Sequence, residues 1–103
     1  MVAIRTRVLL VDDESVVRRI LKQILADYQD MELVGEADNG EEAIAAVDRL
    51  QPDVVVMDIR MPALDGIAAT REISAKFPHV KIIGFSEYAY GLYPAIKAAH
   101  PAM

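Results

Sequence analysis

Four residues of this chain stand where chemistry is possible. Asp12 and Asp13 follow the apolar run Val8-Leu9-Leu10-Val11, Asp58 follows Val54-Val55-Val56-Met57, and Ser86 follows Ile82-Ile83-Gly84-Phe85. If the first and third runs are neighbouring strands, the three carboxylates converge on one small crevice. Packed carboxylates repel, and their pKa values rise unless a cation is present. A hard divalent cation relieves the repulsion, and an oxygen-only donor set suits magnesium. Magnesium takes one or two carboxylates and keeps several waters, so such a site has room for a phosphoryl group. Each residue also has a plainer use. An Asp or Ser at the end of an apolar run commonly forms a turn or caps a helix, and for Asp12 and Asp13 taken alone both readings stay open.

The elements that must position these residues follow from two alternating hydrophobic patterns. Residues 7–11, 31–37, 53–57 and 80–85 are short apolar or alternating runs of strand type. Glu32 and Glu36 in the second run point to a more exposed edge position. Between the runs, apolar residues recur at helical spacing. Val16, Val17, Ile20, Leu21, Ile24 and Leu25 form one stripe, with Arg18, Arg19, Lys22 and Gln23 on the wet side. Glu41 to Leu50 is a second helix, Gly66 to Phe77 a third, and Tyr90 to Ala99 the last. Asp38-Asn39-Gly40 reads as a turn, and Pro52 and Pro78 break helices. This β/α alternation predicts a parallel sheet with right-handed crossovers and helices on both faces. Ligands of such sheets bind beyond the carboxyl ends of the strands, where the four residues lie.

Composition removes several function classes. The chain has 103 residues, enough for one domain spanning 1–103, and 53% are hydrophobic against 26% charged, which argues against disorder. There is no cysteine, so disulfides, zinc–thiolate sites and thiol nucleophiles are excluded. A net charge of −5 speaks against a nucleic-acid footprint in this domain alone. No apolar run approaches a membrane span, and the amino terminus has no signal-peptide layout, so the expected setting is the cytoplasm. His79 and His100 are expected at the surface. Tyr88, Tyr90 and Tyr93 are expected in boundary packing.

The acidic pair Asp12-Asp13, the segment Asp58-Ile59-Arg60-Met61-Pro62-Ala63-Leu64-Asp65-Gly66 and the run Ile82-Ile83-Gly84-Phe85-Ser86 together resemble the receiver domain of two-component response regulators. The likeness runs from about Arg5 to Ala99. It implies a flavodoxin-like three-layer α/β fold whose first strand lies between the second and third. It implies that Asp58 is the phosphoacceptor for a sensor histidine kinase and that Asp12, Asp13, Asp58 and the backbone carbonyl of Arg60 surround Mg2+. Ser86 would be the switch hydroxyl, and Pro62 and Gly66 would shape the loop. The implied function is a phosphorylation-switched protein interface, not an enzyme with its own substrate. A phosphohydrolase with an Asp-x-Asp signature would need an acid at position 60, where Arg60 stands.

The chain departs from the family layout at two points. Only one loop and one helix follow Ser86, so about four β/α units are expected, without the strand that carries the family's lysine and rotating aromatic. Lys97 lies in the last helix and is no substitute by position. Glu87 stands where the family has a small residue. These departures define an alternative, a non-switching receiver-like interaction module. They also predict a bare apolar sheet face and an open strand-four edge, hence a homo-oligomer.

Overall fold

A computed structural model describes residues 4–58, 61, 66–85 and 92–100, with the backbone alone at Phe85 and Leu92. Eight elements alternate along it: β1 (Thr6–Val11), α1 (Ser15–Ala26), β2 (Met31–Ala37), α2 (Gly40–Leu50), β3 (Val54–Asp58), α3 (Gly66–Lys76), β4 (Lys81–Phe85) and α4 (Leu92–Ala99). The boundaries lie within two residues of those read from the apolar runs, and β3 extends to include Asp58 itself.

The four strands form one parallel sheet in the order β2-β1-β3-β4. β1 and β3 are central, and their side chains are buried on both faces apart from the half-buried Arg7. That is why both read as near-continuous apolar runs. β2 is an edge strand, as Glu32 and Glu36 suggested. Its pairing with β1 shifts between Val8 and Leu9, so that Val8 faces Leu33 and Leu9 faces Gly35. Val34 is thereby left over as a bulge. Gly35 lies under Leu50, whose Cδ1 would stand 2.6 Å from any added Cβ.

Two apolar layers sandwich the sheet. On one face, Leu9, Val11, Val55 and Met57 pack with Ala43, Ala46 and Val47 of α2 and Ala69 and Ile73 of α3. On the other, Val8, Leu10, Val54 and Val56 pack with Leu21 and Leu25 of α1 and Ile96 of α4. α2 is capped by Asn39, whose side chain accepts the Glu42 N–H at 2.8 Å. The segment read as a turn is therefore also a helix start.

Three expectations need correction. The sheet face expected to lie bare is covered: α4 crosses to the α1 side, where Ile96 is fully buried and Tyr93 and Ile83 pack beside it. The apolar stripe of α1 is not all inward, because Val16 is 60% and Ile20 48% exposed. His100, expected at the surface, is half-buried. Its ring lies 3.5 Å from Thr6 Oγ1 and 3.8 Å from Asp53.

α4 is held on its face by a polar cluster. Tyr93 Oη donates to Asp30 Oδ2 at 2.9 Å, Lys97 Nζ reaches the same oxygen at 3.0 Å, and the Tyr93 ring stacks on Tyr28 with centroids 3.8 Å apart. Lys97 and Tyr93 hold the Asp30 carboxyl below its usual range, against a smaller opposing effect of burial.

Candidate phosphoacceptor and cation site

Parallel pairing alone assembles the acidic site. β1 and β3 run in register with Val11 beside Met57. The next residue of each strand path, Asp12 and Asp58, therefore ends level at the carboxyl edge of the sheet. Asp13 follows on the turn into α1. One carboxylate oxygen from each of Asp12, Asp13 and Asp58 lies within 4.8 Å of the others. Asp12 is 3% and Asp58 7% exposed, whereas Asp13 faces solvent.

Burial of this kind is costly for a charged group. Burial raises the Asp12 carboxyl above its ordinary value, and the charges of Asp58, Asp13 and Glu14 add to the rise. The backbone N–H of Glu14, which donates to Asp12 Oδ1 at 2.8 Å, offsets part of it. The plain and the chemical readings of Asp12 thus coexist, since one oxygen forms the turn into α1 while the residue contributes to the acidic cluster. The donor set is all oxygen and carries more negative charge than its burial favours, which fits a hard divalent cation.

A basic residue read from the sequence as solvent-facing takes part in the frame. Arg18 of α1 is half-buried, donates through Nη1 to the backbone carbonyl of Asp12, and donates through Nε to Glu36 Oε1 at 3.0 Å. Lys22 reaches the other Glu36 oxygen at 3.0 Å. Burial pushes the Glu36 carboxyl up, but the bonds from Lys22 and Arg18 outweigh it and leave it below its usual value. Arg18 therefore ties α1 and β2 to the strand end that carries Asp12. The i, i+4 spacing of Arg18 and Lys22 was the available signal. Its acidic partner, on a different element, was not.

Met61 is buried against the α2 and α3 layer, and Gly66 is buried at the start of α3. The loop between Asp58 and α3 is therefore anchored at two of its motif positions. Arg60, Pro62, Asp65, Ser86, Glu87, Tyr88 and Tyr90 lie outside the described residues. Lys97 is placed away from the acidic cluster: its partner Asp30 precedes β2, at the opposite end of the sheet from Asp58. Among the described residues no helix is long and apolar enough to cross a membrane.

Comparison with known proteins gives a consistent picture. The response regulator receiver domain profile matches residues 8–99. The response regulator GacA of Pseudomonas viridiflava is 43% identical over 77 residues, which are 75% of this chain and 36% of that protein. A protein-glutamate methylesterase/protein-glutamine glutaminase of Alkalilimnicola ehrlichii is 43% identical over 86 residues, 84% of this chain and 22% of that enzyme. The chain thus spans between about a fifth and just over a third of these relatives. The response regulator domain of Thermotoga maritima CheB superposes with a TM-score of 0.76 at 38% identity, covering 92% of this chain and 73% of that one. The signal receiver domain of the response regulator NarL from Mycobacterium tuberculosis gives 0.77 at 27%, covering 93% and 75%.

Proposed function

This chain belongs to the response regulator receiver domain family, and from that premise we propose that Asp58 accepts a phosphoryl group from a sensor histidine kinase in the presence of Mg2+. The observation that carries the proposal is the meeting of the Asp12, Asp13 and Asp58 carboxylates within 4.8 Å, two of them buried. Asp12, Asp13, Asp58 and the backbone carbonyl of Arg60 would hold the cation. When bound, it supplies positive charge beside the carboxylates and the transferring phosphoryl group.

The chain's own residues do the rest. An Asp58 carboxylate oxygen attacks phosphorus, and a P–O bond forms. The P–N bond to the donor imidazole breaks, and its electron pair returns to the ring nitrogen. Asp58 is the last residue of a central strand paired on both sides through the preceding positions, which would hold its carboxylate in place for the attack. Ser86 would donate its hydroxyl to the new phosphoryl oxygens, making the loop after β4 the place where added charge is read. No separate substrate is turned over.

The proposal is tested by incubating the chain with acetyl phosphate and magnesium and assaying bound phosphate. The expected product is one phosphoryl group, stable to acid and labile to base, and absent in Asp58→Ala. Phosphate retained in Asp58→Ala would overturn the assignment of Asp58.

A second reading has its own observation. Lys97 is committed to Asp30, and no other lysine of the described elements stands at the carboxyl ends of β1 and β3. A receiver-like module that binds partners without a phosphoryl switch predicts that partner binding is unchanged in Asp58→Asn.

A further inference from the structure

A guanidinium beside clustered carboxylates ordinarily pairs with them. Arg18 lies against the acidic site, yet its donors are engaged elsewhere. Nη1 donates to the backbone carbonyl of Asp12, and Nε donates to Glu36 Oε1 at 3.0 Å. Lys22 holds the second Glu36 oxygen at 3.0 Å from the solvent side, where its side chain is 46% exposed against 17% for Arg18. The carbonyl that Arg18 holds belongs to the planar peptide unit joining Asp12 to Asp13. The Asp12 N–H donates to the Ala37 carbonyl at 3.1 Å, and Asp12 Oδ1 accepts the Glu14 N–H at 2.8 Å. The turn that aims Asp12 and Asp13 is thus fixed from β2 twice, directly at Ala37 and through Arg18 at Glu36. The Asp12 carboxyl nonetheless stays above its ordinary value, chiefly through burial, with the negative charges of Asp58, Asp13 and Glu14 adding to the rise. The guanidinium therefore braces the backbone without relieving the charge of the cluster.

We propose that Glu36 is a positioning residue for the cation site: its carboxylate keeps Arg18 on the Asp12 carbonyl and out of the acidic cluster, which is left for a divalent cation. This role rests on the reading of Asp12, Asp13 and Asp58 as a magnesium site. The Asp12 carboxylate and the Asp12 carbonyl are borne by the same Cα, so rotation of the long Arg18 side chain carries the guanidinium from one to the other. Once there, it would occupy the carboxylates as a built-in cation and compete with magnesium. Glu36 pairs in register with Leu10, two residues before Asp12, so it is set back from the cluster and acts through Arg18.

Isothermal titration calorimetry of the chain with magnesium alone tests the proposal. Glu36→Gln is expected to raise the magnesium dissociation constant about tenfold, the usual scale when a residue supporting a metal ligand is lost. In an Arg18→Gln background the same change is expected to cost less than about twofold, because the competing guanidinium is gone. A mere brace between β2 and α1, or the loss of one negative charge, would weaken binding equally in both backgrounds. Circular dichroism reports that the variants fold. An equal loss in the two backgrounds overturns the proposal. If the parent chain binds magnesium and Glu36→Gln binds it as tightly, the role of Glu36 falls and the cation site stands. A parent chain that binds no magnesium overturns both together.

Discussion

Asp12 carries two conflicting demands. Its oxygen must accept the Glu14 N–H to start α1, and its charge sits buried beside two other carboxylates. The conflict sets a sign. A carboxyl whose folded pKa is raised favours folding below its unfolded value near 4, and that contribution is lost as pH rises through the raised folded value. At neutral pH the ionised Asp12 therefore costs stability. Asp12→Asn is expected to raise the thermal midpoint of the metal-free chain, by about 4–8 °C if the relief is about 1 kcal/mol. The same variant should lose most of the stabilisation that magnesium gives the parent chain. Differential scanning calorimetry with and without magnesium measures both effects, and a lower midpoint for metal-free Asp12→Asn would contradict this description of the site. At this scale the sequence was informative, because strand-end position and residue type together picked out Asp12, Asp13 and Asp58. The role of Arg18 was hidden, because helical spacing cannot reveal a guanidinium that turns back to a backbone carbonyl six residues earlier.

Among the elements, α4 shows most clearly what spacing cannot say. Its helical character was readable from Tyr90 to Ala99, but the face it covers was not. That choice rests on Asp30, 63 residues from Tyr93 and 67 from Lys97 in the chain. Val16 and Ile20 make the same point in reverse, since apolar type was read as burial and the packing left them outside. Two predictions belong here. Ile96 is fully buried among Val8, Val54 and Val56, so Ile96→Ala should cost about 2–5 kcal/mol in urea unfolding. Asp30 has a lowered carboxyl pKa, so its contribution is complete above the unfolded value near 4 and is lost as pH falls through the lower folded value. Lys97 and Tyr93 are shifted upward, chiefly by their bonds to Asp30. Their contribution is present below about pH 10 and disappears as pH rises further. Stability curves should therefore fall at both extremes in the parent chain. Asp30→Asn should flatten the acid limb, and an unchanged acid limb would exclude this cluster as the cause.

For the whole molecule, the order β2-β1-β3-β4 places the acidic site at the middle of the sheet's carboxyl edge. The carboxylates sit at the ends of the two central strands, and among the described residues β2 and β4 are the edge strands. Hydrogen exchange should rank the strands accordingly, with β1 and β3 amides slowest and those of β2 faster. Fast exchange in β1 would contradict a sheet centred there. The β/α alternation was legible because each central strand is a continuous apolar run, which a sheet covered on both faces requires. Sheet coverage was not legible, because it depends on where the last helix crosses. Phosphoryl acceptance by Asp58 is tested most directly by the intact mass of the chain after incubation with acetyl phosphate, with magnesium or with a chelator in its place. The predicted result is the addition of a single phosphoryl group with magnesium and none with the chelator. No addition in the presence of magnesium, or an equal addition under chelation, would contradict it.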